Sequence, residues 1–281
     1  MCFIEMRKNS ATQGTIIYGI RSNKYCAIPC RGIVISARCD LEQCKIPTVY
    51  LLSALTVTQW FDQVGVHEAT EKILIEKTDS VKTALEKHEL SFPLLKTFAK
   101  DEIEKVIKAE IRNTKDKGKI AQKLEDYIKW KELRFSSSNA EHREQIHKKA
   151  KVLLNEIIGR GNQQNMHMCF IPNSAFESPR HAGEGLIVDL QDVISYPTED
   201  IQKIIAGKYD GALLSEHERS VLNKKFFLER GDDFATSEKT IKSPWIEWLL
   251  QRFAFSFMRI GVDDVGKDKV GEYFDQIISE G

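Results

Sequence analysis

Hydrophobic positions change their period twice along this chain. Short apolar runs rich in β-branched residues, typical of buried strands, occupy residues 15–20, 32–37, 48–55, 168–171 and 185–193. Between about residues 67 and 159, apolar positions recur every three or four residues and Lys and Glu dominate, which is typical of amphipathic helices. This order predicts an α+β protein with a helical lobe inserted between its strands.

The bounds of these patterns predict two domains. Residues 12–62 plus 166–281 are expected to form a small, strongly bent antiparallel β-barrel of the SH3-like kind with C-terminal helices. Residues 67–159 are expected to form the separate helical lobe. The runs at 32–37 and 48–55 are joined by a polar turn, so we expect them to be neighbouring strands of a hairpin.

The most apolar predicted helix is Ser243–Met258, with Ser243 as N-cap and Pro244 at the first helical position. Its aromatic residues Trp245, Trp248 and Phe253 are expected to be mostly buried or, where exposed, to bind a partner. A second helix is predicted over residues 215–227, opened by a Ser and Glu capping box. The tail from Gly261 ends in a short amphipathic segment.

Charge and composition narrow the classes of function. Lys and Arg number 41, as do Asp and Glu, so the formal net charge is +0 and a nucleic-acid binder is disfavoured. No apolar run approaches the roughly 20 residues that span a bilayer, and the first ten residues do not resemble a signal peptide. We therefore expect a cytoplasmic protein without membrane contact, and we expect no cofactor.

Four of the six cysteines, Cys26, Cys30, Cys39 and Cys44, lie close together in sequence. Four thiolates suffice for a tetrahedral zinc ion, but structural zinc sites normally use C-x2-C pairs and this spacing lacks one. Small, buried, reduced thiols are the competing interpretation. Cys39, beside Asp40 at a strand end, is also a candidate reactive thiol.

Residues Gly14-Thr15-Ile16, Arg31 to Ser36, Ile46 to Val49 and the run from Gly185 to Pro197 carry a family resemblance. They resemble the opening strand, the RPVLVIS-like strand, the SPT-type strand entry and the later strand and turn of the MazF/PemK toxins. The resemblance covers two blocks of the chain and implies the toxin fold. It also implies that Arg31 stands where the toxins place the Arg that stabilises charge on the scissile phosphate.

Three departures from the family pattern affect the expected activity. The helical segment of residues 67–159 has no counterpart of that size, and Gly32 replaces the proline that follows the family's Arg. The family's catalytic hydroxyl falls at or beside Ala54, and the nearest hydroxyls belong to Ser53 and Thr56. Because hydrolysis needs both a charge stabiliser and a proton carrier, the resemblance implies the fold more firmly than the activity.

Two functions follow from this resemblance. The first is a catalytically degenerate regulatory protein of a prokaryotic defence or toxin–antitoxin system, like the MazF-like subunits of CRISPR-linked protease cascades that hold a transcription factor inactive until proteolysis. Its expected partner is a protein: a transcription factor, an antitoxin or a protease. The alternative is an active endoribonuclease that binds single-stranded RNA, with Arg31, Ser53 or Thr56, and His181 as acid or base. A zinc- or thiol-dependent site is a third hypothesis.

Overall fold

A computed structural model describes residues 11–43, 45–90, 100–111, 113–133, 140–159, 167–177 and 184–258. These residues divide into two compact units, which lie within Met1–Val57 plus Arg160–Gly281 and within Thr58–Gly159. The second unit is helical and contains the region in which the sequence has helical periodicity.

The first unit contains one six-stranded antiparallel sheet. Its strands are β1 (Thr15–Ile20), β2 (Cys30–Val34), β3 (Thr48–Thr56), β4 (Met168–Ile171), β5 (Leu186–Pro197) and β6 (Thr236–Thr240). The order across the sheet is β4-β5-β3-β2-β1-β6. The predicted hairpin is confirmed, because Ile33 lies opposite Leu52 and Val34 opposite Leu51. The sequence analysis missed β6.

The predicted barrel does not close, because the sheet is open and no ladder joins β4 to β6 among the described residues. Within those residues, the segments that follow the two edge strands meet at an isolated bridge between Phe176 and Ile241, where Lys242 N–H donates to the Ala175 carbonyl over 2.9 Å and Glu177 N–H donates to the Thr240 carbonyl over 3.0 Å. Pro172 explains why β4 stops at four residues, since proline has no N–H to continue a ladder.

Both faces of the sheet are covered. On one face, buried side chains from five strands form a single core with Ile246 and Leu249 of the last helix. On the other face, the Tyr196 and Phe226 rings stack with centroids 4.9 Å apart, and a helix over Thr198–Ile205 packs against β3 and β5. A strand buried on both sides has little freedom, so side chains on it are held in fixed positions.

The helices of the first unit are α1 (Arg38–Glu42), α7 (Thr198–Ile205), α8 (Glu216–Leu222) and α9 (Trp245–Met258). The predicted capping box is confirmed at Ser215 and Glu218, at the start of α8. The predicted N-terminus of α9 is wrong by one residue: Pro244, predicted as the first helical residue, follows a cis peptide bond, and the helix begins at Trp245.

The second unit consists of helices packed through their apolar stripes. They are α2 (Val57–Trp60), a π-helical turn (Phe61–Gly65), α3 (Val66–Glu86), α4 (Lys100–Glu110), α5 (Thr114–Leu133) and α6 (Ala140–Ile158). Trp60 is buried and lies so close to Gly65 that a Cβ at Gly65 would approach its ring within 2.6 Å. No helix in the described part of the chain is both long and apolar enough to cross a membrane.

Candidate functional site

Arg31 is the second residue of β2 and lies between Tyr18 of β1 and Ala54 of β3, its direct partners across the sheet. Gly32 follows it for a steric reason. A Cβ at Gly32 would lie 2.6 Å from Leu51 Cδ2 and 2.8 Å from Ile20 Cδ1. Side chains of the two neighbouring strands, Leu51 of β3 and Ile20 of β1, thus pack directly against the backbone next to Arg31. This packing fixes the position from which the Arg31 side chain extends.

The guanidinium of Arg31 extends across β1 to β6. Its Nε donates to Oε2 of Glu238 over 2.8 Å, and Nη2 donates to Oε1 of the same carboxylate over 3.0 Å. The group lies over the ring of Tyr18, 5.1 Å from its centroid. Since β1 and β6 are on the opposite side of β2 from β3, the charged group is directed away from β3.

Glu238 reaches Arg31 because of an irregularity in the outermost strand. Ile16 lies opposite Lys239 and Ile17 opposite Ser237, so Glu238 is the extra residue of a β-bulge. A bulge re-aims its side chain and strengthens the local twist. The carboxylate that pairs with Arg31 is thus placed by the ladder between β1 and β6.

Tyr18 completes this cluster. Its ring lies 5.4 Å from that of Phe234, between centroids, and burial raises the pKa of its hydroxyl although Arg31 lowers it. The phenol is therefore neutral at physiological pH and offers an aromatic face to the guanidinium. Arg31, Tyr18 and Glu238 are brought together, and the sequence analysis anticipated only the first of them.

The two candidate hydroxyls lie on opposite faces of the sheet, and one of them shares the face of Arg31. Ser53 lies opposite Gly32, so it occupies the face of the sheet opposite to that of Arg31; it is fully buried, and its Oγ has no hydrogen-bond partner among the described residues. Thr56 is two residues beyond Ala54 on β3, so the two side chains lie on the same face of the sheet. Ala54 is opposite Arg31, and Thr56 therefore shares the face of Arg31. His181 lies outside the described residues.

A second polar cluster fixes the loop between β1 and β2. The buried carboxylate of Asp189 accepts hydrogen bonds from Lys24 Nζ over 2.6 Å and from the Tyr25 hydroxyl over 2.7 Å. Ser22 donates to Asp192 and accepts from the backbone N–H groups of Lys24 and Tyr25 over 3.0 Å. Both aspartates come from the irregular part of β5, so this loop is attached to β5, which is separated from the strand of Arg31 by β3.

The described cysteines do not form a metal site. Cys26 and Cys39 are exposed and Cys30 is buried, all as free thiols. Burial raises the pKa of Cys30 to about 12, so its free thiol is protonated at physiological pH. No group of three or more His, Cys, Asp or Glu side chains within the described ranges is placed to hold a metal ion. Cys44 lies outside those ranges.

The α9 surface is apolar and only partly covered. Leu249 is fully buried in the core, whereas Trp245, Trp248 and Phe253 are half-buried at its edge, so their predicted burial is only partly met. The two tryptophan rings meet edge to face, with centroids 5.9 Å apart. Phe255 is 60% exposed. The helix thus leaves aromatic groups partly exposed while Leu249 is packed into the core of the sheet.

Comparison with known proteins adds no family assignment: no protein-family model, no curated protein and no solved structure matches the chain. The resemblance to MazF/PemK toxins stays a prediction from the sequence.

Sequence reasoning missed Tyr18 and Glu238 beside Arg31, and it also missed Asp189 in the second polar cluster. Glu238 stands in a polar run, Thr236–Thr240, that has no alternation of apolar and polar residues, and nothing in it indicates a bulge. Asp189 does carry a signal, because it is a charged residue inside the apolar run of Leu186–Leu190. A carboxylate in such a run needs a partner, which here is supplied by Lys24 and Tyr25.

Proposed function

We propose that this chain is a MazF-like regulatory protein that binds a protein partner and does not cleave RNA. The proposal combines the family resemblance with the surroundings of Arg31. The resemblance implies a role in a prokaryotic defence or toxin–antitoxin system, with a transcription factor, an antitoxin or a protease as the partner.

The observation that carries this proposal is the direction of the Arg31 guanidinium. In a ribonuclease of this kind, an Arg and a hydroxyl contact the same scissile phosphate. Here the guanidinium is bound by both oxygens of Glu238 on one side of β2, and Thr56 lies on the other side, on β3. For both groups to contact one phosphate, the guanidinium would have to leave that carboxylate, which separates an ion pair.

The identity of the neighbouring residues supports the same conclusion. Ala54, directly opposite Arg31, has no group that can transfer a proton. Ser53 belongs to the buried face on the other side of the strand. Neutral net charge and the carboxylate of Glu238 also weaken any attraction for an RNA backbone.

Partner binding is assigned to the α9 surface, in particular Trp245, Trp248 and Phe253. Half-buried aromatic residues at the edge of a packed core are typical anchors of protein interfaces, since they contribute a large contact area with little loss of side-chain entropy. Affinity purification from cells that produce the protein tests this assignment with Trp248→Ala. Ile75→Ala is the control, because Ile75 is an exposed apolar residue of α3 in the other unit.

Loss of one defined co-purifying protein with Trp248→Ala, and its retention with Ile75→Ala, is the expected result. Circular dichroism must show that both variants keep the wild-type helix content. Equal recovery of that protein with both variants would refute the assignment of the partner site to α9.

The alternative function is an active endoribonuclease with Arg31 and Thr56 as its catalytic pair. One observation favours it: Arg31 faces Ala54, and Thr56 is the diagonal neighbour on the same face, so their Cα atoms are about 7–8 Å apart. An Arg side chain could reach a phosphate there if it left Glu238. Cleavage of RNA that requires Thr56 would support this alternative.

A further inference from the structure

Helix α9 carries an arginine, Arg252, beside the two tryptophans of the proposed partner site. The Trp245 and Trp248 rings have centroids 5.9 Å apart, and the guanidinium carbon of Arg252 lies 5.9 Å from the centroid of the Trp248 ring. Their spacing of i, i+3 and i+7 places the three side chains on one side of the helix. We call them the Trp–Arg stripe. Phe255, which is 60% exposed, continues the same side at i+10.

The guanidinium of Arg252 has no carboxylate partner among the described residues. Arg252 is half-buried, and its Nε is buried without a hydrogen-bond partner. By contrast, Arg21, Arg31 and Arg38 each form an ion pair with a glutamate. Burial raises the pKa of Cys169 to about 12, although Arg252 lowers it, so the guanidinium lies near this residue of β4. That thiol is protonated at physiological pH and does not neutralise the cation.

A guanidinium beside two indole rings is suited to an anion that is carried on an apolar segment. Arginine binds carboxylates through strong, charge-assisted hydrogen bonds, and Trp and Arg are the residue types most enriched at the energetic centres of protein interfaces. The phosphate of RNA is the competing anion. Helix α9 has one Arg and one Glu and no Lys, so its formal charge is zero, whereas grooves that bind RNA need several cations. The charge of the helix therefore favours a protein segment.

We propose that the Trp–Arg stripe binds a segment of a partner protein in which an Asp or Glu side chain stands next to a large apolar residue. The carboxylate accepts hydrogen bonds from the terminal nitrogens of Arg252, and the apolar residue packs on the rings of Trp245 and Trp248. Packing of that residue excludes water from the ion pair and so strengthens it. This inference rests on the proposed partner site on α9, and it adds the chemistry of the segment that the site recognises.

Selection of short random peptides on phage against the full-length protein tests the proposal. Enriched peptides are synthesised with a fluorescent label and titrated by fluorescence anisotropy, and we expect them to carry Asp or Glu beside Leu, Phe or Trp. Arg252→Gln should weaken their binding about tenfold or more, the size expected for a lost charge-assisted hydrogen bond. Arg38→Gln, at an exposed arginine of α1, is the control and should leave binding unchanged. Arg252→Glu should restore binding to a peptide in which Lys replaces the acidic residue, which also shows that this variant is folded.

The outcomes separate this inference from the partner site on which it rests. Peptides that need Trp248 but not Arg252, or that carry no carboxylate, would overturn the inference and leave the partner site on α9 standing. If no selected peptide loses affinity with Trp248→Ala, both the partner site and this inference are wrong. Labelled single-stranded RNA, titrated in the same way, should not bind. RNA binding that Arg252→Gln weakens would show that the anion is a phosphate and would also overturn the inference.

Discussion

The ion pair between Arg31 and Glu238 should stabilise the folded protein by a measurable amount. Two hydrogen bonds of 2.8 and 3.0 Å join the guanidinium to both carboxylate oxygens. The side chains are 18% and 26% exposed. Fully exposed pairs contribute about 0.2–1 kcal/mol, whereas breaking buried pairs costs roughly 3–5 kcal/mol, so we expect a coupling free energy of about 1–2 kcal/mol.

A double-mutant cycle measures this coupling. The free energies of unfolding in urea are determined for wild type, Arg31→Ala, Glu238→Ala and the double variant. Arg31→Ala should be the more destabilising single change, because it also removes the contact with the Tyr18 ring, which contributes about 0.5–1 kcal/mol. The exposed pair of Arg38 and Glu42 in α1 is the control and should show a coupling of about 0.5 kcal/mol or less.

A coupling below about 0.3 kcal/mol between Arg31 and Glu238 would refute this reasoning, because the pair would then contribute no more than a fully exposed one. An anion could then displace the carboxylate from the guanidinium at little cost. The physical argument against ribonuclease activity would lose its main support.

Three further predictions concern the core, the loop and the thiols. Leu249→Ala should lower the free energy of unfolding by about 3 kcal/mol, because Leu249 is buried. Phe255→Ala should change it by less than about 0.5 kcal/mol, because Phe255 is exposed. Equal effects of the two variants in urea titrations would contradict the packing of α9. Asp189→Asn should lower the free energy of unfolding in urea by about 1–3 kcal/mol, since it weakens the two hydrogen bonds that Lys24 and Tyr25 donate to this buried carboxylate. An unchanged free energy of unfolding would show that the loop between β1 and β2 is not attached to Asp189. Burial raises the pKa of Cys30 to about 12, so iodoacetamide at about pH 8 should modify Cys26 and leave Cys30 unmodified, as peptide mass spectrometry can check; rapid loss of the Cys30 thiol would refute its burial.

Much of the sheet could be predicted because its strands are short, apolar and bounded by turn residues. β1 and β4 have the bounds that the pattern indicates, and the register of β2 on β3 follows from burying Ile33 and Leu52 together. β6 could not be predicted, since an edge strand made of Thr, Ser, Glu and Lys buries little surface and has no hydrophobic period.

The position of Arg31 on a strand could be predicted from the sequence, but the direction of its guanidinium could not. The sequence places Arg31 on a strand, next to Gly32, but its partner Glu238 is more than 200 residues away and belongs to the strand that was missed. The face on which Ser53 lies follows from strand alternation only when the register with Gly32 is known. Tertiary pairing, which leaves no local signal, therefore decides whether Arg31 is available to a phosphate.

The central claim is that the protein binds a partner and does not cut RNA, and a ribonuclease assay with purified protein tests it most directly. Single-stranded RNA of mixed sequence is incubated with wild type and with Arg31→Ala, and both are shown to be folded by circular dichroism. The account predicts no cleavage above background by either protein, because the guanidinium of Arg31 is held by Glu238 on the side of β2 away from β3, and the residue opposite Arg31 on β3 is Ala54. Cleavage by the wild type that Arg31→Ala abolishes would contradict it, and Thr56→Ala would then show whether that hydroxyl completes the site.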